Sequence, residues 1–346
     1  MYEAHRAAAI LDRFRGQVDA QIERLLAGRE SLLLYDVIRY HLGLDAEGSA
    51  GVGTPALQRG KRVRAALCLL SCQACGGSPA AAAPAAAAVE LLHSFTLLHD
   101  DIADQDETRR GRPTAWREWG IGQAITAGDA LFALANLAIY KLECPPEVVP
   151  EVIRELNEAT LAVCEGQQLD ISFEGRADIA VGDYLQMIER KTAVLIAAAC
   201  AIGARVAQAP ERQRESLRDF GRQVGLAFQV ADDLLGIWGT ASDLGKPVGS
   251  DLRRNKRSLP IIYTLQQASE TEREALAARL AAGIETDWEA TELAARMEAL
   301  GARALCEDMA RESLNTALAA LETADLEAGA RGELGILASF LIERQR

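Results

Sequence analysis

Apolar residues recur at helical spacing along almost the whole chain. Leu11, Phe14, Val18, Ile22 and Leu25 step by three and four near the start, and Leu91, Leu92, Phe95, Leu98 and Ile102 do so further on. Val224, Leu226, Phe228, Val230, Leu234 and Leu235 make a third, denser apolar segment. Runs of β-branched residues with alternating polarity are nearly absent, and Ala, Leu, Glu, Gln and Arg, all good helix formers, dominate. This pattern predicts an all-α fold of about a dozen helices joined by short loops, a single large helical bundle. No linker or fixed repeat interrupts it, so residues 1–346 read as one domain, with residues 1–45 as N-terminal packing helices. Gly76-Gly77-Ser78-Pro79 and Cys144-Pro145-Pro146 mark turns, while residues 48–60 and 239–251 form longer, glycine-bearing loops. The Ala-rich stretch 80–89 reads as a tightly packed helix.

Two acidic clusters break the apolar pattern. In ELLHSFTLLHDDIADQDETRRGRPT, Asp100, Asp101 and Asp104 follow an apolar run, and residues four apart share a helix face. Like charges there repel, so a cation is expected in return. Carboxylate oxygens with room for water and phosphate suit magnesium of the substrate-bridging kind. Arg109 and Arg110 follow, suited to gripping phosphate oxygens. Taken alone, the cluster also fits a solvated acidic helix end. Downstream, Asp232 and Asp233 lie within the third apolar segment, where a buried aspartate must be paired or bind metal. Lys246, Asp251 and Lys256 come after them. The symmetry suggests two helices facing each other across a cavity, with magnesium at both rims holding one diphosphate.

Composition narrows the field. Hydrophobic residues at 49% and charged residues at 25% suit a globular chain with a large core. A net charge of -13 argues against nucleic-acid binding, and an acidic protein handling anionic diphosphates needs bridging cations. The seven cysteines include one CxxC, Cys72 and Cys75, without the second pair a zinc site needs. Cys68, Cys72 and Cys75 fit a core helix, and reduced thiols suit the cytoplasm. The charged N-terminus reads as no signal peptide, and the longest apolar run, 193–204, is too short to span a bilayer.

Six short elements in order resemble the trans-isoprenyl diphosphate synthase (polyprenyl synthetase) family, over nearly the whole chain. They are GKRVR at 60–64, HDDIADQDETRRGRPT at 99–114, GQQLD at 166–170, Lys191-Thr192, FQVADDLLG at 228–236 and GKPVGSDL at 245–252. The resemblance implies the isoprenoid synthase type of fold, a single large helical bundle around a central cavity, and a homodimer. It implies two to three magnesium ions bridging an allylic diphosphate, with Asp100, Asp101, Asp104, Asp232 and Asp233 as the metal residues, Asp101 in a supporting place. Lys61, Arg64, His93 and Arg110 would hold isopentenyl diphosphate. Arg109, Lys246 and Lys256 would hold the allylic diphosphate, and Gln167 belongs with the substrate contacts. Lys191, Thr192 and Gln229 would face the allylic cation. Gly236, Arg59 and Ala65 depart from the family's pattern, and Gly236 removes one acidic ligand.

The implied reaction is magnesium-dependent elongation of an allylic diphosphate by isopentenyl diphosphate. The leaving diphosphate can collect the released proton, and residues 239–251 are a candidate lid. Phe95 lies five residues before Asp100, about 7.5 Å deeper along the helix. It would floor the product cavity beside a small Thr96, although ordinary core packing explains it equally well. These features resemble geranylgeranyl-type members first, with farnesyl or longer-chain synthases as alternatives. A class I terpene cyclase, a non-catalytic partner subunit and a helical scaffold are more distant readings.

Overall fold

The computed structural model describes residues 2–44, 60–239, 249–254 and 256–343. Helices come first as α1 (Tyr2–Leu26), α2 (Leu33–Leu42), α3 (Val63–Ala74) and α4 (Pro79–Ala103). Two short strands follow, β1 (Thr108–Arg109) and β2 (Arg112–Pro113), then α5 (Ala115–Trp119), α6 (Ile121–Ile139) and α7 (Val148–Phe173). Next are α8 (Val181–Ile188), a π-helical turn (Glu189–Ala193), α9 (Val194–Val206), α10 (Glu211–Trp238) and α11 (Ser250–Arg253). The chain closes with α12 (Leu259–Gln267), α13 (Glu270–Ala282), α14 (Asp287–Ala299), α15 (Ala302–Thr323) and α16 (Ala328–Glu343). The fold is all-α, as the periodicity predicts.

The residues group into two compact units. The first holds Met1–Asn157, Ala199–Arg214 and Leu326–Leu334. Its centre is α4, which packs on α1, α3 and α6. Ala82, Ala83 and Ala85 to Ala88 are all buried on α4, and Pro84 sits inside the helix. Small side chains bring the helix axes close: a Cβ at Gly128 of α6 would lie 2.5 Å from His99 Cδ2. Along α1, Leu11, Phe14, Val18 and Ile22 are buried as expected, but Leu26 rather than Leu25 completes the stripe. Leu25 falls beyond the edge of the apolar face.

The second unit holds Glu158–Ala198, Glu215–Asp325 and Gly335–Arg346. One apolar cluster joins Tyr184, Met187, Ile188, Val230, Leu259 and Ile262. Another joins Ile237, Leu252, Ile261, Leu265, Leu280, Leu293 and Met297. A reciprocal cap starts α14: Thr286 Oγ1 accepts from Glu289 N–H at 3.2 Å, while Glu289 Oε2 accepts from Thr286 N–H at 3.0 Å.

By length and composition, two described helices could cross a bilayer, where the sequence suggested none. For Pro79–Ala103, 72% of the apolar window is buried, so burial inside the protein explains its character. For Ile121–Ile139 the share is only 39%, and Ile121, Ile125 and Leu137 stay exposed. All seven cysteines are free thiols, and Cys68, Cys72, Cys200 and Cys306 are buried.

Candidate functional site

In the first unit, α4 delivers the first acidic cluster. The helix ends at Ala103, and Asp104 caps it, its N–H bonding Asp100 O at 2.8 Å. The four-residue spacing therefore survives at the helix end, with Asp100 partly buried and Asp104 exposed. Asp101 faces elsewhere, because neighbours on a helix diverge by about 100°. It is only 2% exposed, and Arg109 Nε donates to its Oδ1 at 2.5 Å. Burial raises its carboxyl to about 6, opposed by Arg109. Its other oxygen is buried without a hydrogen-bond partner. Asp101 is thus the anchor of Arg109.

Helical periodicity stops at a feature the sequence reading did not predict. Residues 108–113 form an antiparallel hairpin, Arg109 opposite Arg112. Both turn residues have positive φ, 54° at Arg110 and 74° at Gly111, as a type I′ turn requires. Left-handed backbone at a non-glycine residue costs on the order of 1 kcal/mol and needs support from its surroundings. Tyr40 supplies part of it: its hydroxyl donates to Pro113 O at 2.9 Å, and the Arg112 guanidinium lies 3.7 Å over its ring. Thr114 Oγ1 and Trp116 Nε1 both donate to Asp106 O, at 2.7 and 2.9 Å.

The hairpin carries Arg110 to the start of α3. A Cβ at Gly60 would lie 2.8 Å from Arg110 Nη2, so the guanidinium packs directly against this glycine, whose φ is 71°. Next to it, Arg62 is a buried structural cation, donating to Asp19 Oδ1 at 3.1 Å and Leu42 O at 3.0 Å. Arg64 Nη1 lies 3.1 Å from His93 Nε2. Arginine has only donors, so His93 Nε2 accepts and its proton sits on Nδ1. Burial, with Arg64, Arg110 and Arg109 nearby, holds His93 well below its ordinary pKa and keeps it neutral. Burial first, then Arg62 and Arg109, pushes Arg110 down to about 10. Arg64 Nε is buried with no hydrogen-bond partner. Clustered, desolvated cations with an orphaned donor are what a polyanion would stabilise. Lys61, exposed, stands one residue from Gly60 at the same segment.

His41 belongs to this site and was missed, because residues 1–45 carry no motif. Burial, with Arg110 and Arg109, pushes it down to about 3. With Tyr40, Asp101, Arg109, Arg110 and Arg112 it lines a cavity of about 20 Å³, room for roughly one water.

In the second unit, three glycines press helices together around the π turn. A Cβ at Gly166 would lie 2.7 Å from Lys191 Cα, and one at Gly225 would lie 2.5 Å from Ala193 Cα. At Gly221, one would lie 2.8 Å from Ala197 Cα. A π turn inserts an extra residue into a helix and is frequent at functional sites. Here it presents Lys191 and Thr192. Lys191 Nζ donates to Asp170 Oδ2 at 2.6 Å, which explains the aspartate of the GQQLD element. Thr192 Oγ1 donates to Gln229 Oε1 at 2.9 Å. Both amide atoms of Gln167 are buried with no hydrogen-bond partner.

Asp232 and Asp233 separate as Asp100 and Asp101 do. Asp232 is exposed, so its placement in a buried segment is corrected. Asp233 is fully buried and accepts hydrogen bonds from Tyr184 OH, Leu259 N–H at 3.0 Å and Gln229 Nε2 at 3.3 Å. Burial raises it to about 7, opposed by Lys256. Its oxygens are committed to protein donors, so Asp233 is an internal anchor and not the metal ligand expected of it. Burial disfavours the Lys256 ammonium, yet Asp251, Asp233, Asp232 and Asp170 outweigh this and raise its pKa. Lys246 and most of loop 239–251 lie outside the described residues.

Phe95 meets His99 edge-on at 4.8 Å and Phe132 at 5.8 Å between ring centroids. Thr96 turns its hydroxyl back to His93 O at 2.8 Å. Among the described residues no three acidic, histidine or cysteine side chains form a ready metal cage. Oxygen donors that leave positions for water and phosphate fit magnesium, and the carboxylates of the partly buried Asp100 and the exposed Asp104 and Asp232 are donors of that kind.

The family model described as polyprenyl synthetase matches residues 52–297. This chain belongs to the polyprenyl synthetase family. Geranylgeranyl diphosphate synthase from Mycobacterium tuberculosis (strain ATCC 25618 / H37Rv) is 42% identical over 320 residues, 91% of this chain and 89% of that protein. (2E,6E)-farnesyl diphosphate synthase from Mycobacterium bovis is 39% identical over 326 residues, covering 93% and 89%. Among solved structures, geranylgeranyl pyrophosphate synthetase from Pyrococcus horikoshii Ot3 has a TM-score of 0.88 at 32% identity, covering 98% of each chain. As a polyprenyl synthetase, this protein is a prenyltransferase of isoprenoid biosynthesis that elongates prenyl chains. The family uses isopentenyl and allylic diphosphates with a divalent metal.

Proposed function

We propose that this prenyltransferase, acting as one catalytic domain, makes geranylgeranyl diphosphate from isopentenyl diphosphate and an allylic primer with magnesium. The cation cluster of Arg64, Arg110 and Lys61 around neutral His93 carries the reading. A terpene cyclase has no second diphosphate to hold and no use for such a pocket. A non-catalytic subunit or scaffold would leave the orphaned Arg64 Nε and Gln167 amide without purpose.

Asp100, Asp104 and Asp232 would hold magnesium, which when bound neutralises charge on the departing diphosphate. Arg109, oriented by Asp101, and Lys191, oriented by Asp170, would each add fixed positive charge for a departing diphosphate. Lys256 and Lys246 would join them. By donating to Gln229, the Thr192 hydroxyl keeps its lone pairs available to an allylic cation. Arg64, Arg110, Lys61 and His93 orient isopentenyl diphosphate for attack.

Phe95, backed by Phe132 and His99, would floor the product cavity. A farnesyl product is the second reading, favoured by the 39% identity to a farnesyl diphosphate synthase. The test is incubation with magnesium, labelled isopentenyl diphosphate and each allylic primer, followed by product analysis. A C20 diphosphate is expected, and Phe95→Ala should lengthen it. Cyclic hydrocarbons, or no incorporation, would overturn the function, while an unchanged Phe95→Ala spectrum would remove the floor.

A homodimer is supported by the apolar side chains that α6 leaves exposed, Ile121, Ile125 and Leu137, with Tyr140 just beyond it. Sedimentation should give twice the chain mass, and a monomer would refute it. A reducing compartment, the cytoplasm, suits seven free thiols.

A further inference from the structure

The last turn of α2 touches both arms of the cation cluster. Val37, Ile38 and Leu42 bury its apolar face, and the Arg39 guanidinium meets Glu23 of α1 at 2.6 Å. Gly43, left-handed at φ 70°, ends the helix, its N–H bonding Tyr40 O at 3.0 Å. On one side, Leu42 O accepts from Arg62 Nη2 at 3.0 Å, which ties this helix end to the segment bearing Lys61 and Arg64. On the other side, Tyr40 reaches the 108–113 hairpin.

Three different contacts join Tyr40 to that hairpin and its continuation. The hydroxyl donates to Pro113 O at 2.9 Å. Arg112, only 8% exposed, lays its guanidinium carbon 3.7 Å from the centre of the ring. Trp119, at the end of α5, meets the ring edge-on, with 4.8 Å between centroids and 83° between planes. Arg112 and Pro113 are the residues that follow the turn at Arg110 and Gly111, so Tyr40 grips the strand that leaves it. Arg109 has a separate anchor in Asp101. For Arg110, the repulsion of Arg62 and Arg109 outweighs the pull of Glu90 and Asp101. A backbone held from outside is therefore needed to keep its guanidinium against Gly60.

We propose, on the reading of Arg64 and Arg110 given above, that Tyr40 is a positioning residue for isopentenyl diphosphate. Its hydroxyl and ring hold the hairpin in register with the start of α3, and so set the spacing of Arg110 from Arg64. Arg112 is its counterpart on the hairpin.

The test is steady-state kinetics of the full-length protein with each diphosphate varied in turn, and Tm measured for every variant. The variants are Tyr40→Phe, Tyr40→Ala, Arg112→Met, the pair Tyr40→Ala/Arg112→Met, and Arg110→Gln as reference. Tyr40→Phe keeps the ring and loses one hydrogen bond. It should raise KM for isopentenyl diphosphate roughly fivefold, with less than about a twofold change in kcat or in KM for the allylic substrate. Tyr40→Ala also loses the ring contacts and should raise it roughly thirtyfold. Arg112→Met should raise it when Tyr40 is present and add nothing to Tyr40→Ala, because the ring it covers is gone. An unchanged KM in Tyr40→Phe and Tyr40→Ala, with Arg110→Gln impaired, would overturn the inference alone, whether or not Tm falls. So would equal rises in KM for the two diphosphates. An unchanged KM in Arg110→Gln would overturn the reading of Arg110 and the inference with it.

Discussion

The two acidic doublets look alike as sequence and differ as structure. In Asp100-Asp101, the inner carboxylate grips a cation, Arg109, that is itself a candidate substrate contact. In Asp232-Asp233, the inner carboxylate is held by neutral donors from Tyr184, Leu259 and Gln229. The first unit thus spends its buried aspartate on placing an arginine at the site. The second spends it on joining α8, α10 and α12, and so on fixing Gln229. In each doublet the adjacent side chains point about 100° apart, so the inner one serves the protein and the outer one is the one proposed for metal.

The largest effect should come from the outer members. Asp100→Ala or Asp232→Ala should lower kcat by roughly 100- to 1000-fold, with little change in Tm. A large loss of Tm instead would assign these residues to structure. Next, the inner members should part company. Asp233→Ala strands Tyr184 OH and Leu259 N–H and should cost about 2 to 3 kcal/mol of stability in chemical denaturation. Asp101→Asn should leave stability nearly intact and raise KM for the allylic substrate, since Arg109 loses its orienting charge. If both variants behaved alike, the contrast between the doublets would fail.

A smaller effect should appear in stability against pH. His41 is depressed to about 3 from an ordinary 6.5, so its contribution is complete above 6.5 and is lost as pH falls toward 3. Asp233 is raised to about 7 from 3.8, so its contribution is complete below 3.8 and is lost as pH rises through 7. Melting curves across pH should therefore show His41→Asn flattening the acid side and Asp233→Asn flattening the neutral side. Unchanged slopes would show that other groups dominate.

The helices of α4 and α10 were legible because their apolar faces repeat at 3.6 residues, and so was the pairing of acid clusters with basic ones. Lys61, Arg64 and His93 were legible only through their resemblance, whereas Arg110 also stood out as half of a basic pair. The hairpin at 108–113 was hidden because two-residue strands leave no periodic trace. Asp233 was misjudged because a doublet in one dimension conceals the helical turn between its members. His41 was missed because it reaches the site from an element distant in sequence, through contacts that no local pattern records.

The division of labour within the doublets is tested most directly by anomalous diffraction from Mn2+ bound with inorganic pyrophosphate. Peaks beside Asp100 and beside Asp232, with Asp233 still held by Tyr184 and Leu259, are predicted. A metal peak bonded to Asp233, or none at Asp232, would contradict it.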